Sequence, residues 1–481
     1  MAVETQPVSP ALNQPAREEE EALREQLMFD PRPREELNRM VMESMYSTSP
    51  RYWVAVGVLT ALVLVCLVGM WGYMIFTGIG IAGIRKPIYW GVFIVTFVFW
   101  IGISHAGTFV SAILRVFKAE FRRPFTRAAE LMTTFGLAAG ALYPLIHLGR
   151  VWVFYWMIPY PNARWLWPNF RSPLVWDFLA ITTYLLSSTI YLYLPLLPDL
   201  AMARDRTQGW RHAVYKALAL GWRGTEAEWF RLRKAINIFA FAIIPVMFSV
   251  HTIVSWDFAV GQVGGWNSTI FGPYFIIGAI LSGVSAVITI LVILRATLKH
   301  MDYFIRPEHL DALGKLVLVF SMAWAYFFFN DYLVSWYGGY EVTRRILTLH
   351  ATGPTAWVWY CMLFFNVVIP WLTLWSRKIR RTPWAMFIIT VLINVGMYFE
   401  RYTIIPMTLG HQRFPFDWGE YSPRLPEISI AFGTLCLFIL LYLLASRLIP
   451  LVPVWEVREG QEAHKVVKVG KTVVPSVSEL E

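Results

Sequence analysis

The chain has 481 residues, of which 57% are hydrophobic, 16% aromatic and only 15% charged, and its mean hydropathy is +0.49. That composition excludes a soluble enzyme and reads as an all-α, polytopic membrane protein. A formal charge of +10 would suit a nucleic-acid binder, but the basic residues follow membrane topology, so no nucleic acid is needed to explain them.

Residues 1–52 are polar and carry an acidic run from Glu18 to Glu21, where a secretory signal would have a basic start and an apolar core. They read as a cytoplasmic N-terminal segment. Its second half, EEEALREQLMFDPRPREELNRMVMES, fits a short amphipathic helix at the membrane face or on a partner, and equally a solvated tail. Ten segments then have the length and apolarity to cross a bilayer, which takes about 20 helical residues. They lie at 53–77, 88–114, 131–157, 174–197, 236–260, 274–296, 312–337, 355–377, 384–407 and 427–449, within a membrane domain over 53–450. Pro144, Pro195, Pro245 and Pro370 fall inside these segments, where each removes a backbone hydrogen bond and favours a kink. The connection 198–235 holds eight basic residues and reads as a connector anchored by charge; residues 451–481 form a polar cytoplasmic tail.

Lys and Arg number 31 in the two ends and the loops on their side, against 8 in the alternate loops. The positive-inside rule then puts both termini in the cytoplasm, at a bacterial inner membrane. The opposite loops, 158–173, 261–273, 338–354 and 408–426, are rich in Trp, Tyr, Pro and Gly. Interfacial aromatic belts account for much of this; a docking platform for an extracytoplasmic subunit is the second reading. Cys66, Cys361 and Cys436 stand singly inside apolar segments, without the clustering that zinc or iron–sulfur centres require, so any such cluster belongs to a partner.

Ionisable groups inside a bilayer are costly, and their depth carries information. At about 1.5 Å per residue, His147 falls in the outer third of the third helix and Asp177 just below the outer mouth of the fourth. His251 and Asp257 lie near the outer end of the fifth, Asp331 near that of the seventh, and Glu400 with Arg401 near that of the ninth. Snorkelling at the boundary explains Asp177, Asp257 and Asp331 singly, and a lone membrane histidine is ordinarily a packing residue. The coincidence of level across five helices favours one shared chamber. Tyr143, His147 and Arg150 share a helical face at i, i+4 and i+7, and Asn394, Tyr398 and Arg401 repeat that spacing. His251 and Asp257 are about 120° apart around their helix, and His251 is expected to face the chamber. The triplet WDF at 176–178 recurs at 256–258 and should reach matching depth on antiparallel helices.

An oily cavity lined by histidine, carboxylate and tyrosine suits a quinone, whose oxidation needs a base beside one oxygen and an acceptor for electrons. Histidine titrates near operating pH, and a neighbouring carboxylate orients it and carries the proton onward. His147 and His251 could instead clamp a haem, but a two-haem cytochrome needs a second pair nearer the cytoplasm, where only His105 stands.

The stretches WIGISHAGTFVSAILRVF (100–117) and AAGALYPLIHLGRVW (138–152), with the paired WDF triplets, resemble the NrfD/PsrC-type membrane subunits of polysulfide reductase-like complexes. Within that family the chain is most similar to the ten-helix quinol-binding subunit of alternative complex III. The resemblance covers roughly residues 50–450. It implies two four-helix bundles, helices 2–5 and 6–9, flanked by helices 1 and 10. It also implies menaquinol as bound substrate, and no haem or iron–sulfur cluster in this chain. Implied partners are an extracytoplasmic iron–sulfur protein, c-type haem subunits and a second NrfD-like membrane subunit. By position His147 and Asp177 match the family's catalytic quinol-site residues; Tyr143, Arg150, His251, Asp257, Asp331, Tyr398, Glu400 and Arg401 are the candidates for holding the quinol.

Toward the cytoplasm, His105, Glu130, Thr183, Ser187, Ser282 and Ser285 could form a proton half-channel, although Ser and Thr also serve packing in membrane helices. Two rivals stand beside the quinol reading. One is a secondary transporter, which would favour polar groups at the midplane; the other is a non-catalytic NrfD-like anchor.

Overall fold

The computed structural model of the chain describes residues 32–158, 173–412, 414–463, 466–469 and 472–475. Among the described residues, ten helices are long and apolar enough to cross a membrane: Pro50–Thr77, Val92–Val116, Glu120–His147, Val175–Asp205, Glu226–Ala259, Phe271–Thr297, Pro307–Tyr337, Ala356–Thr373, Pro383–Met407 and Leu425–Leu448. They are the first to tenth spans below. Helix follows from the solvent: hydrocarbon offers no partner to a backbone N–H or C=O, so each segment satisfies its own. Among the described residues the only strands are a small antiparallel hairpin in the tail, Val466–Val469 with Thr472–Pro475.

Spans two to five pack around one another as one four-helix bundle, and spans six to nine as a second. The sixth span joins them by lying against the second and fifth as well as the seventh and ninth. The second and third spans approach most closely at Gly107, where a Cβ would sit 2.0 Å from Thr133 Oγ1 and 2.1 Å from the Ala129 carbonyl oxygen. Only glycine permits that backbone contact. The first span buries few of its residues and leans on the tenth, where a Cβ on Gly433 would fall 2.7 Å from the backbone nitrogen of Leu67.

Both ends of the chain meet on one face. The helix Arg34–Tyr46 buries Leu37, Val41 and Met45 at i, i+4 and i+8, and Arg447 Nη1 donates to the carbonyls of Ser44, Met45 and Ser47 at 2.7, 3.2 and 3.0 Å. Of the stretch read as a helix or a solvated tail, the described part forms this packed helix, and residues 19–31 lie outside the described residues. The tail folds back as the helix Val454–Ala463. Its Glu456 is buried against Arg122 at 2.8 Å and Arg115 at 3.3 Å, its Glu459 pairs with Arg123 and Arg233 at 3.2 and 3.0 Å, and Trp455 Nε1 donates to the Pro195 carbonyl at 2.7 Å. Burial alone would raise the Glu456 carboxyl, but the three guanidiniums of Arg122, Arg115 and Arg123 hold it down to about 2.

The connection 198–235 is mostly helix rather than loop. The fourth helix runs Pro173–Asp205 and the fifth Glu226–Ala259, each about 50 Å long against a hydrocarbon core of about 30 Å. Both project on the side of the termini. A capping box starts the fifth: Thr225 Oγ1 accepts from the Glu228 N–H at 3.3 Å, and Glu228 Oε2 accepts from the Thr225 N–H at 2.9 Å. Between them lies a further helix, Gly209–Leu218.

Candidate functional site

The twin WDF triplets meet. Antiparallel packing of the fourth and fifth spans sets Trp176 edge-on to Trp256, with ring centroids 5.8 Å apart, and places the carboxyls of Asp177 and Asp257 side by side. Their Oδ1 atoms are buried with no hydrogen-bond partner. His147 ends the third span on the same side of the membrane, its Nδ1 likewise buried and unpartnered.

The expectation that His251 faces the same chamber is corrected: it is Asp257 that lies beside Asp177, and His251, about 120° away around the helix, points elsewhere. It is fully buried, and its ring lies 4.5 Å from that of His105 and 5.9 Å from Phe275. Neither of its ring nitrogens has a hydrogen-bond partner. His105 holds its Nδ1 2.6 Å from the Ile101 carbonyl oxygen and its Nε2 2.9 Å from that of Met247. A neutral imidazole donates to one of these acceptors, the protonated ring to both. His105, a candidate for the proton path, thus sits beside His251 where the second and fifth spans cross.

The second bundle holds its own polar chamber. Arg401 lies over the Phe275 ring at 4.3 Å and contacts Glu400 at 2.9 Å; Gly278 makes room for it, since a Cβ there would be 3.2 Å from Arg401 Nη2. Glu400 Oε1 accepts from Trp324 Nε1 at 3.4 Å. Beyond Glu400 is a small cavity lined by Asp331, Tyr274, Tyr332 and His350 among others. His350 sits between the hydroxyls of Tyr332 at 3.0 Å and Thr408 at 3.2 Å. The candidates expected to share one chamber fall instead into separate polar groups: Phe275 lies against both the His251 ring and Arg401, and Phe258 packs on Phe275 and Trp266.

Other candidates are displaced. The helical face expected to carry Tyr143, His147 and Arg150 breaks, because the helix stops at His147, Gly149 takes φ +66° and Arg150 is exposed in the 3-10 turn that follows. Tyr143 bonds Thr434 of the tenth span at 2.8 Å, and Tyr398 bonds Thr96 of the second at 3.0 Å, so both tie helices together. Thr183 is exposed on the outer face of the fourth span, and Ser187 bonds its own helix at the Thr183 carbonyl. The inward face carries Asp177, Tyr184, Ser188 and Tyr191 instead, at i, i+7, i+11 and i+14. That spacing from Asp177 was available in the sequence. Tyr184 bonds Thr108 at 2.7 Å, while the buried hydroxyls of Ser188 and Ser111 have no partner. Ser282 bonds the Ala279 carbonyl at 3.0 Å, and Ser285 is buried without a partner. Glu130 is drawn into the ionic cluster under the tail, 3.6 Å from Arg127, which also grips Asp199 at 3.1 Å. His350, Tyr274 and Trp324 were missed because each lies in an apolar or loop context with no local signal.

The fold and these buried groups define a multi-span helical membrane protein that carries unpartnered carboxyl and imidazole atoms among its described residues. Residues 80–410 match the family described as polysulphide reductase, NrfD, and the chain belongs to that family. A Halobacterium salinarum protein named as a membrane subunit of dimethyl sulfoxide reductase is 27% identical over 446 residues, covering 85% of this chain and 93% of its own. A selenate reductase subunit of Mesobacillus selenatarsenatis is 22% identical, covering 75% and 85%. The Hdr-like menaquinol oxidoreductase integral membrane subunit of Archaeoglobus fulgidus is 22% identical, covering 86% and 97%. The chain is accordingly a membrane subunit of an oxidoreductase complex.

Proposed function

We propose that this chain is the quinol-binding subunit of a quinol:electron-acceptor oxidoreductase of the alternative complex III type, with its termini in the cytoplasm of a bacterial inner membrane. Menaquinol is oxidised at the opposite, extracytoplasmic face. The observation that carries this reading is the Asp177–Asp257 pair, whose free Oδ1 atoms, with the free Nδ1 of His147, are buried polar groups lacking a partner. Such groups are costly unless a ligand satisfies them, and a dihydroxynaphthalene offers two hydroxyls.

One quinol hydroxyl gives its proton to His147 and the other to the carboxylate of the aspartate pair, while two electrons leave to an iron–sulfur protein seated on the outer face. That protein passes them to c-type haem subunits. The menaquinol named in the Archaeoglobus relative supports the substrate class. His105 and His251, below the aspartates, provide an imidazole pair that takes protons further inward.

The test is turnover of the purified native assembly with menaquinol. His147→Ala should lower kcat by about 10²-fold or more with the complex intact; unchanged turnover would remove this mechanism and leave a non-catalytic anchor.

A further inference from the structure

The helix Gly209–Leu218 is amphipathic in an unusual sense. Tyr215 is buried, and its hydroxyl donates to the Leu448 carbonyl at 3.1 Å. The opposite face is exposed yet apolar, with Trp210, Ala213, Val214, Ala217 and Leu218 at i, i+3, i+4, i+7 and i+8. The chain then turns through Leu220, which holds φ +46° and exposes 72% of its surface, followed by Gly221 at φ +74°. A leucine in the left-handed region is strained. Here the strain presents an apolar side chain outward.

Position says what this face meets. The outward stripe of the fourth span, Leu179, Leu186 and Ile190, continues at the same spacing to Tyr193, whose hydroxyl donates to the Leu218 carbonyl. Tyr193 lies 20 residues below Pro173, about 30 Å along the helix, at the depth where the hydrocarbon ends. Leu218 and Leu220 therefore sit at the leaflet boundary. Around them Lys216, Arg223 and Lys234 are exposed and take no part in the ion pairs of this surface, which join Arg204 to Asp205, Arg206 to Glu35 and Arg233 to Glu459.

We infer that this segment is a binding site for anionic phospholipid in the leaflet on the side of the termini, with Leu218 and Leu220 among the acyl chains and Lys216, Arg223 and Lys234 on the phosphates. Basic residues at the mouth of apolar helices recognise such headgroups, and an exposed apolar stripe flanked by cations suits the interface. Charge complementarity and continuity with the lipid-facing stripe favour lipid over a protein partner.

The full chain is purified in nanodiscs of phosphatidylcholine doped with cardiolipin or phosphatidylglycerol, and lipid retained per chain is counted by native mass spectrometry. The triple variant Lys216→Gln, Arg223→Gln, Lys234→Gln should retain either anionic lipid on the order of a hundredfold less well, at roughly a fivefold loss per charge, with phosphatidylcholine unaffected. Leu220→Gly should weaken retention severalfold while its melting temperature in detergent stays equal or rises, because glycine adopts the left-handed conformation freely. Unchanged retention in the triple variant overturns the proposal. So does a native assembly in which Lys216 and Lys234 resist acetylation after complete delipidation, which would assign the face to a protein partner.

Discussion

The two ends of this helical body use the same residue types to opposite ends. On the side of the termini, Arg115, Arg122, Arg123 and Arg127 meet Glu456, Glu459, Asp199 and Glu130 in a network of close ion pairs. Near the other face, Asp177, Asp257, Asp331 and His147 each keep a buried polar atom with no partner. A paired charge in low dielectric is a clasp; an orphaned one waits for a ligand or a proton. Arg401 with Glu400 stands between these extremes, touching at 2.9 Å while the contacting atoms, Arg401 Nη1 and Glu400 Oε2, lack good hydrogen-bond geometry.

Substitutions that exchange these roles should separate them. Asp177→Asn and Asp257→Asn are each expected to cut quinol turnover about 10²-fold or more, and the double variant no further, since the pair acts as one unit. Additive losses, read in steady-state kinetics of the assembled complex, would mean that the two carboxyls work apart. On the other side, Glu456→Ala leaves the buried guanidinium of Arg122 and the half-buried one of Arg115 short of a counter-charge and should cost about 3–5 kcal/mol of stability, visible as a lower melting temperature and proteolytic release of the tail.

Acid probes the same clasp. The Glu456 carboxyl, near 4.5 in an unfolded chain, is held at about 2 in the fold, so its stabilisation is complete above pH 4.5 and is lost as pH falls toward 2. Pepsin accessibility of the tail should rise across that window; a transition centred near neutrality would contradict it. Gly278→Ala crowds Arg401 and the Met397 methyl, 3.2 and 3.0 Å from the new Cβ, with an expected cost of about 1–3 kcal/mol in thermal unfolding. Smallest of all, Thr183→Val on the exposed face should change melting and turnover by less than about 0.5 kcal/mol, whereas a marked loss would return the proton route to that face.

The sequence by itself determined the number of spans, the shared side of the two ends and the level of the outer acids, because hydropathy and charge distribution act on each segment separately and a helix converts residue number directly into depth. Matching depth for the two WDF triplets followed from the same rule. Azimuth was decided only in three dimensions. Thr183 and Ser187 looked as polar as Tyr184 and Ser188, but packing against the fifth span turned one pair outward and the other in. Glu456 carried no motif at all, and became the buried anchor of the tail only when the folded bundle gathered Arg115, Arg122 and Arg123 around it. The outer groups separated because the sixth span, pressed between the bundles, set Phe275 between the His251 ring and Arg401, and no local pattern encodes which helix will stand between two others.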